Sequence, residues 1–242
     1  MKENGPGGAL EPRLSTLPEI QQRLWPQLQS LRSLHFVLYG GTAIALRLGH
    51  RISVDFDFFS SSPLDRERIR QALPFLQQST LLQEEANAQT FLVPVTQTAD
   101  HPNDRATVKL SLFGGLEFGR VGNPQLTSDE VALVAAPEDL LATKLKVILQ
   151  RAEAKDYIDI AALLQDDRAS PEAVGDRLAR GLSAAAALFG SAFQPAEALK
   201  ALVFFEDGDL PDLSLCTRLP LERAASEVGP LPPAPMVTPQ LH

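Results

Sequence analysis

Apolar positions follow two different rhythms along this chain, and the change comes near residue 136. Before it, short apolar or alternating runs read as strands. These are Phe36-Val37-Leu38-Tyr39, Ser53-Val54-Asp55-Phe56-Asp57-Phe58, residues 79–85 and 89–95 with Asn87-Ala88 near their turn, and Thr107 to Phe113. Gly114-Gly115 then gives a two-residue hairpin signal, which makes Leu116 to Val121 the expected partner of the preceding strand. After residue 136 apolar residues recur at helical spacing. Pro137 suits a first helical position, and Glu138 and Asp139 favour the positive end of the dipole, so a helix is expected to about Arg151. The next, about 155–165, carries Tyr157, Ile160, Ala161 and Leu164 on one stripe. Ser170-Pro171 opens another, to about residue 189, and Pro195 a last one, to about residue 205.

Helices also punctuate the first half. Thr16-x-x-Glu19 fits a capping box, and Leu17, Ile20, Leu24, Leu28 and Leu31 give an amphipathic helix that Pro26 is expected to kink. Pro63 and Asp65 open a helix over about 64–73, and Thr98 to Arg105 is polar and loop-like. Residues 1–14 are rich in Gly and Pro and are expected to be disordered; the Pro-rich chain after Leu219 is expected to be loose. The fold class is therefore α+β: a mixed β-sheet flanked by helices over residues 15–136, a helical half over 137–219, and tails at 1–14 and 220–242.

The chemistry concentrates in GGTAIALRLGHRISVDFDFF, residues 40–59. On a strand successive side chains alternate, so Asp55 and Asp57 share one face while Val54, Phe56 and Phe58 take the other. Two carboxylates so placed form a hard-oxygen site suited to Mg²⁺. Gly40-Gly41 at a strand-to-helix turn lets backbone approach a phosphate, with helix N–H groups pointing at it. Together they suggest a nucleoside triphosphate held by glycines and a metal held by two aspartates. The plainer alternatives are a tight packing turn, a Thr42 cap and solvated carboxylates at a strand end. Arg51 and Ser53 join the aspartates' face if the strand reaches back that far.

The ordered combination of apolar strand, Gly-Gly, spacer and apolar-Asp-apolar-Asp-apolar resembles the nucleotidyltransferase signature. More narrowly, it resembles the AbiEii/AbiGii-type nucleotidyltransferases, toxin components of type IV toxin–antitoxin and phage-abortive systems. VKLSLFGGLEFGRV, PEDLLATKLKVILQRAEAKDYIDIAALL and LKALVFFEDGDLPDL extend the resemblance from about residue 33 to about residue 215. It implies a nucleotidyltransferase-like fold and Mg²⁺-dependent transfer of NMP from an NTP to an acceptor hydroxyl. In such toxins the acceptor can be the tRNA 3′ end, and a winged-helix antitoxin is the usual partner. It implies catalytic and metal-binding roles for Asp55 and Asp57, and phosphate binding by Gly40, Gly41 and Thr42, with Arg51 and Ser53 beside them. Lys144 is expected on the triphosphate, and Asp156 or Asp159 near the metal or as base; spacing does not separate those two. Lys144, Arg151 and Lys155 would share one basic stripe on a continuous helix, which by spacing alone reads as a solvated face with a Lys155–Asp159 ion pair; the resemblance implies that Lys155 meets the nucleotide.

One departure stands out. Many enzymes of this fold carry a third carboxylate on a neighbouring strand, but Val108-Lys109-Leu110-Ser111-Leu112 offers Lys109 and Ser111 there, and Lys109 reads either as an exposed strand residue or as a phosphate ligand. That leaves open a nucleotide-binding protein without turnover. Net charge is −8 with pI near 5.0, whereas tight nucleic-acid binders are usually basic. A small-molecule or protein acceptor is the alternative this favours. Cys216 is the single cysteine and excludes an intrachain disulfide or a cysteine-based zinc site. No apolar run approaches a membrane span, and MKENGPGGALEPR lacks a signal-peptide core, so the expected location is the cytoplasm.

Overall fold

Strand β1 (Val37–Tyr39) is buried along its whole length, because it lies inside the sheet with a neighbour on each side. The computed structural model describes residues 8–96, 105–167 and 172–240. These divide into two compact units, one drawn from Met1–Glu117, Asn123–Ala135 and Pro239–His242, the other from Phe118–Gly122 and Ala136–Thr238.

The first unit is built on a seven-stranded mixed sheet. It contains β1, β2 (Asp55–Phe59), β3 (Thr80–Glu85), β4 (Ala88–Thr96), β5 (Arg105–Phe113), β6 (Gln125–Leu126) and β7 (Leu133–Val134), in the order β3-β4-β5-β2-β1-β7-β6. Pairing is parallel between β1 and β7 and between β2 and β5, and antiparallel elsewhere. Phe56 and Phe58 fill the core side of β2, and Trp25 stacks on Phe56 at 5.8 Å between ring centroids.

The first amphipathic run becomes three short pieces. These are α1 (Glu19–Leu24), a 3₁₀ turn (Trp25–Gln29) and α2 (Ser30–Ser33). Pro26 has no N–H for the helical ladder, and the chain tightens there instead of merely kinking. The expected capping box is absent. Pro18 precedes the helix, and the Thr16 hydroxyl donates to the Arg13 carbonyl at 2.8 Å. Helix α3 (Gly40–Leu48) buries Ala43 to Leu46 and stops at Gly49, whose φ of 72° suits a left-handed helix end. Helix α4 (Arg66–Ala72) starts at Asp65, which accepts the Arg68 N–H at 3.0 Å.

The hairpin expected at Gly114-Gly115 does not form. Both edges of β5 are already taken, by β2 and β4, so no slot remains for Leu116 to Val121. The glycines serve a close approach instead: a Cβ at Gly114 would lie 2.7 Å from the Ser62 carbonyl. Thr98 to Asp104 lie outside the described residues.

The second unit is helical. Its elements are α5 (Pro137–Val147), α6 (Ala154–Leu164), α7 (Val174–Phe189), α8 (Pro195–Leu202) and α9 (Leu215–Glu227). Helices α5 and α7 pack through Gly181, where a Cβ would come within 2.5 Å of Leu141. Helix α5 ends at Val147, short of the expected Arg151, and α7 begins at Val174; Ser170-Pro171 lies outside the described residues. The chain after Leu219 is not loose up to Glu227. Helix α9 carries Pro220 inside it and buries Leu221 and Ala224, and that apolar anchoring offsets the lost ladder bond. At the other terminus residues 1–7 are outside the described set, and Leu10 already bridges to Thr127. Among the described residues no helix is long and apolar enough to cross a membrane.

Candidate active site

The turn from β1 into α3 sets the site in the first unit. Gly40 has φ of 71°, a left-handed value that costs a residue with a side chain. A Cβ there would also stand 3.0 Å from Asp57 Oδ2. The Asp57 carboxylate therefore lies directly against the first residue of α3. Tyr39 precedes the helix without a side-chain cap, so the first N–H groups of α3 have no capping oxygen from that residue. Helix N-termini attract anions through those groups and the dipole.

Thr42 and Ser53 are buried and tie α3 to the start of β2. The Thr42 hydroxyl donates to the Asp55 carbonyl and lies 2.8 Å from Ser53 Oγ. The Ser53 N–H donates to Thr16 O at 3.1 Å. These two hydroxyls are thus committed within the protein, joining α3 to the start of β2. β2 begins at Asp55, so Arg51 and Ser53 are not on the strand as expected. Arg51 Nη1 donates to the Ile52 carbonyl at 3.0 Å. Val54, expected on the core face, is 58% exposed because the strand does not reach it.

Asp55 and Asp57 share one face of β2 and are half-buried, while Phe56 and Phe58 are buried behind them. β5 sets Lys109 in register with Asp55 and Ser111 with Asp57. Val108, Leu110 and Leu112 take the core side, as expected. Lys109 is exposed. Ser111 is not open to ligand: it is buried, with its hydroxyl 3.5 Å from that of Thr90. Among the described residues no group of three or more His, Cys, Asp or Glu is placed to hold a metal. A pair of carboxylates still fits Mg²⁺, which commonly takes one or two carboxylates and completes its shell with water and substrate phosphates.

The second unit holds a different acidic pair. Asp156 and Asp159 are fully buried on α6, and Lys144 of α5 is 6% exposed. Lys144 Nζ lies 2.6 Å from Asp156 Oδ1 and 2.7 Å from Asp159 Oδ2. Arg151 Nε adds a 2.8 Å contact to Asp156 Oδ2. The expected basic stripe does not exist, because the chain turns between Val147 and Ala154 and Arg151 belongs to that turn. Lys155 is half-exposed and pairs with Glu153 at 2.7 Å. Burial pushes the Tyr157 hydroxyl up to about 12, with the Asp156 charge adding to it.

Asp139 has a role that helix-start statistics did not signal. It is buried in the first turn of α5 and accepts the Val121 and Gly122 N–H groups at 2.8 and 3.0 Å. Desolvation outweighs those bonds and raises its pKa from 3.8 to about 6.

A model of the AbiEii family, described as nucleotidyl transferase AbiEii toxin of a type IV toxin–antitoxin system, matches residues 23–234. An uncharacterized protein of Aquifex aeolicus (strain VF5) is 30% identical over 132 residues, which are 54% of this chain and 58% of that protein. Among solved structures, JHP933 from Helicobacter pylori is similar with a TM-score of 0.55 at 19% identity, covering 86% of this chain and 89% of that one. MenT4, a nucleotidyltransferase toxin from Mycobacterium tuberculosis H37Rv, is similar with a TM-score of 0.53 at 13% identity, covering 86% and 81%. At these identities the structural likeness is one of fold.

Proposed function

We propose that this chain, which belongs to the AbiEii family of type IV toxin–antitoxin nucleotidyl transferases, moves an NMP from an NTP to an acceptor hydroxyl. The observation that carries the reading is the Asp57 carboxylate lying against Gly40 at the start of α3, with Asp55 on the same strand face. Asp55 and Asp57 would hold Mg²⁺. Bound there, the ion would offset phosphate charge in an in-line displacement. The N–H groups of Gly41 and Thr42 at the head of α3 bind and orient the phosphates. Gly40 leaves room for the Asp57 carboxylate and the phosphate to approach the backbone. Lys144 and Asp159, expected from the resemblance as triphosphate ligand and base, pair with each other inside the second unit, which holds both side chains in one orientation.

The acceptor we favour is the 3′ end of tRNA, with a winged-helix antitoxin as the controlling partner; family membership supports both. The acidic balance of −8 favours a second reading, transfer to a small molecule or a protein side chain. Purified protein is given each α-³²P NTP with Mg²⁺, and either tRNA or a cell extract freed of RNA. Label on tRNA that disappears in Asp55→Asn/Asp57→Asn supports the first reading. Label only in the RNA-free extract supports the second. Equal labelling by wild type and the double variant sinks the assignment of the aspartates.

A further inference from the structure

We propose that Lys109 is a phosphate-binding residue of the same site, supplying positive charge beside Asp55; the inference rests on the nucleotidyl-transfer reading. First, β5 runs parallel to β2 with Lys109 in register with Asp55. Neighbouring strands lie about 4.8 Å apart, so the lysine stem rises beside that carboxylate on the same face. Second, Lys109 is exposed, and no ion pair joins it to Asp55 or to another carboxylate among the described residues. An ammonium that stands beside an acid without closing on it keeps its donors available for a third group. Third, its other flank is apolar: the register partner of Lys109 on β4 is Leu92.

Charge balance gives this position its use. Two aspartates already offset the charge of one divalent cation. The triphosphate's own charge then needs other positive groups. The N–H groups at the head of α3 are one source, and Lys109 on the neighbouring strand is a second. A carboxylate at this position would add an acidic metal ligand; a lysine adds an ammonium that meets phosphate directly. The site thereby works with two acidic ligands, and the substrate is recognised by a lysine on the strand where many enzymes of this fold carry a third acid.

The test is calorimetric titration with a non-transferable NTP analogue, bridged by methylene between the α- and β-phosphates, in the presence of Mg²⁺. Lys109→Gln is expected to weaken binding on the order of tenfold or more, and Lys109→Glu further. Lys109→Arg is expected to stay near wild type. Melting temperatures should be unchanged, because the side chain is exposed. Equal affinity for wild type and Lys109→Gln overturns the role of Lys109 while leaving nucleotide binding standing. Wild type that takes up no nucleotide overturns both.

Discussion

Two pairs of aspartates, one in each unit, meet opposite fates. Asp55 and Asp57 alternate on a strand, are half-buried, and have Lys109 alongside without an ion pair to it among the described residues. Asp156 and Asp159 sit one helical turn apart, fully buried, and are closed by Lys144 and Arg151 at 2.6 to 2.8 Å. A carboxylate removed from water must be paired, and once paired it is costly to disturb. A carboxylate at the water boundary carries less of that cost. The sheet pair is half-buried where the proposed metal site needs it, and the helical pair holds α5 on α6.

The contrast breaks most visibly at Lys144. Lys144→Met leaves Asp156 and Asp159 buried with less compensation, and about 3–5 kcal/mol of stability should be lost in urea unfolding. A loss below about 1 kcal/mol would show that the pair is not holding the second unit.

Asp139 sharpens the comparison through pH. Its folded pKa of about 6 lies above the ordinary 3.8. Its contribution to stability is then fully present below pH 3.8 and is lost as pH rises through about 6. Between those limits the second unit should lose on the order of 2–3 kcal/mol from this group. Asp139→Asn should flatten that slope in unfolding curves taken from pH 4 to pH 7.

The smallest effect is expected at Gly40. Gly40→Ala places a Cβ at a left-handed φ and 3.0 Å from Asp57 Oδ2. Stability should fall by about 1–2 kcal/mol, while nucleotide binding weakens because the Asp57 carboxylate must shift. A variant of unchanged affinity would detach the glycine turn from the site.

The strand–turn–helix–strand unit was legible because each of its signals is local. Apolar alternation places Phe56 and Phe58 inside, Gly40 marks a left-handed turn, and Asp55 and Asp57 are left on one face. What was not legible depended on neighbours. Gly114-Gly115 looks like a hairpin until β2 and β4 are seen to occupy both edges of β5. Helix α5 stops at Val147 without a glycine or proline, and the turn that follows carries Arg151 onto Asp156. Pro220 reads as a breaker, yet buried Leu221 and Ala224 anchor α9 around it. Thr42 and Ser53 read as phosphate ligands, and only their burial shows that the hydroxyls are used to join α3 to β2. Lys109 was visible as a departure, but its place beside Asp55 needed the register.

The most direct test of the account is Mn²⁺ binding, read by electron paramagnetic resonance with the NTP analogue present, on wild type and on Asp55→Asn/Asp57→Asn. Bound Mn²⁺ is expected in wild type and its loss in the double variant, with a cooperative urea unfolding transition retained by both. A double variant that binds Mn²⁺ as wild type does would contradict the assignment of the sheet pair as the metal site.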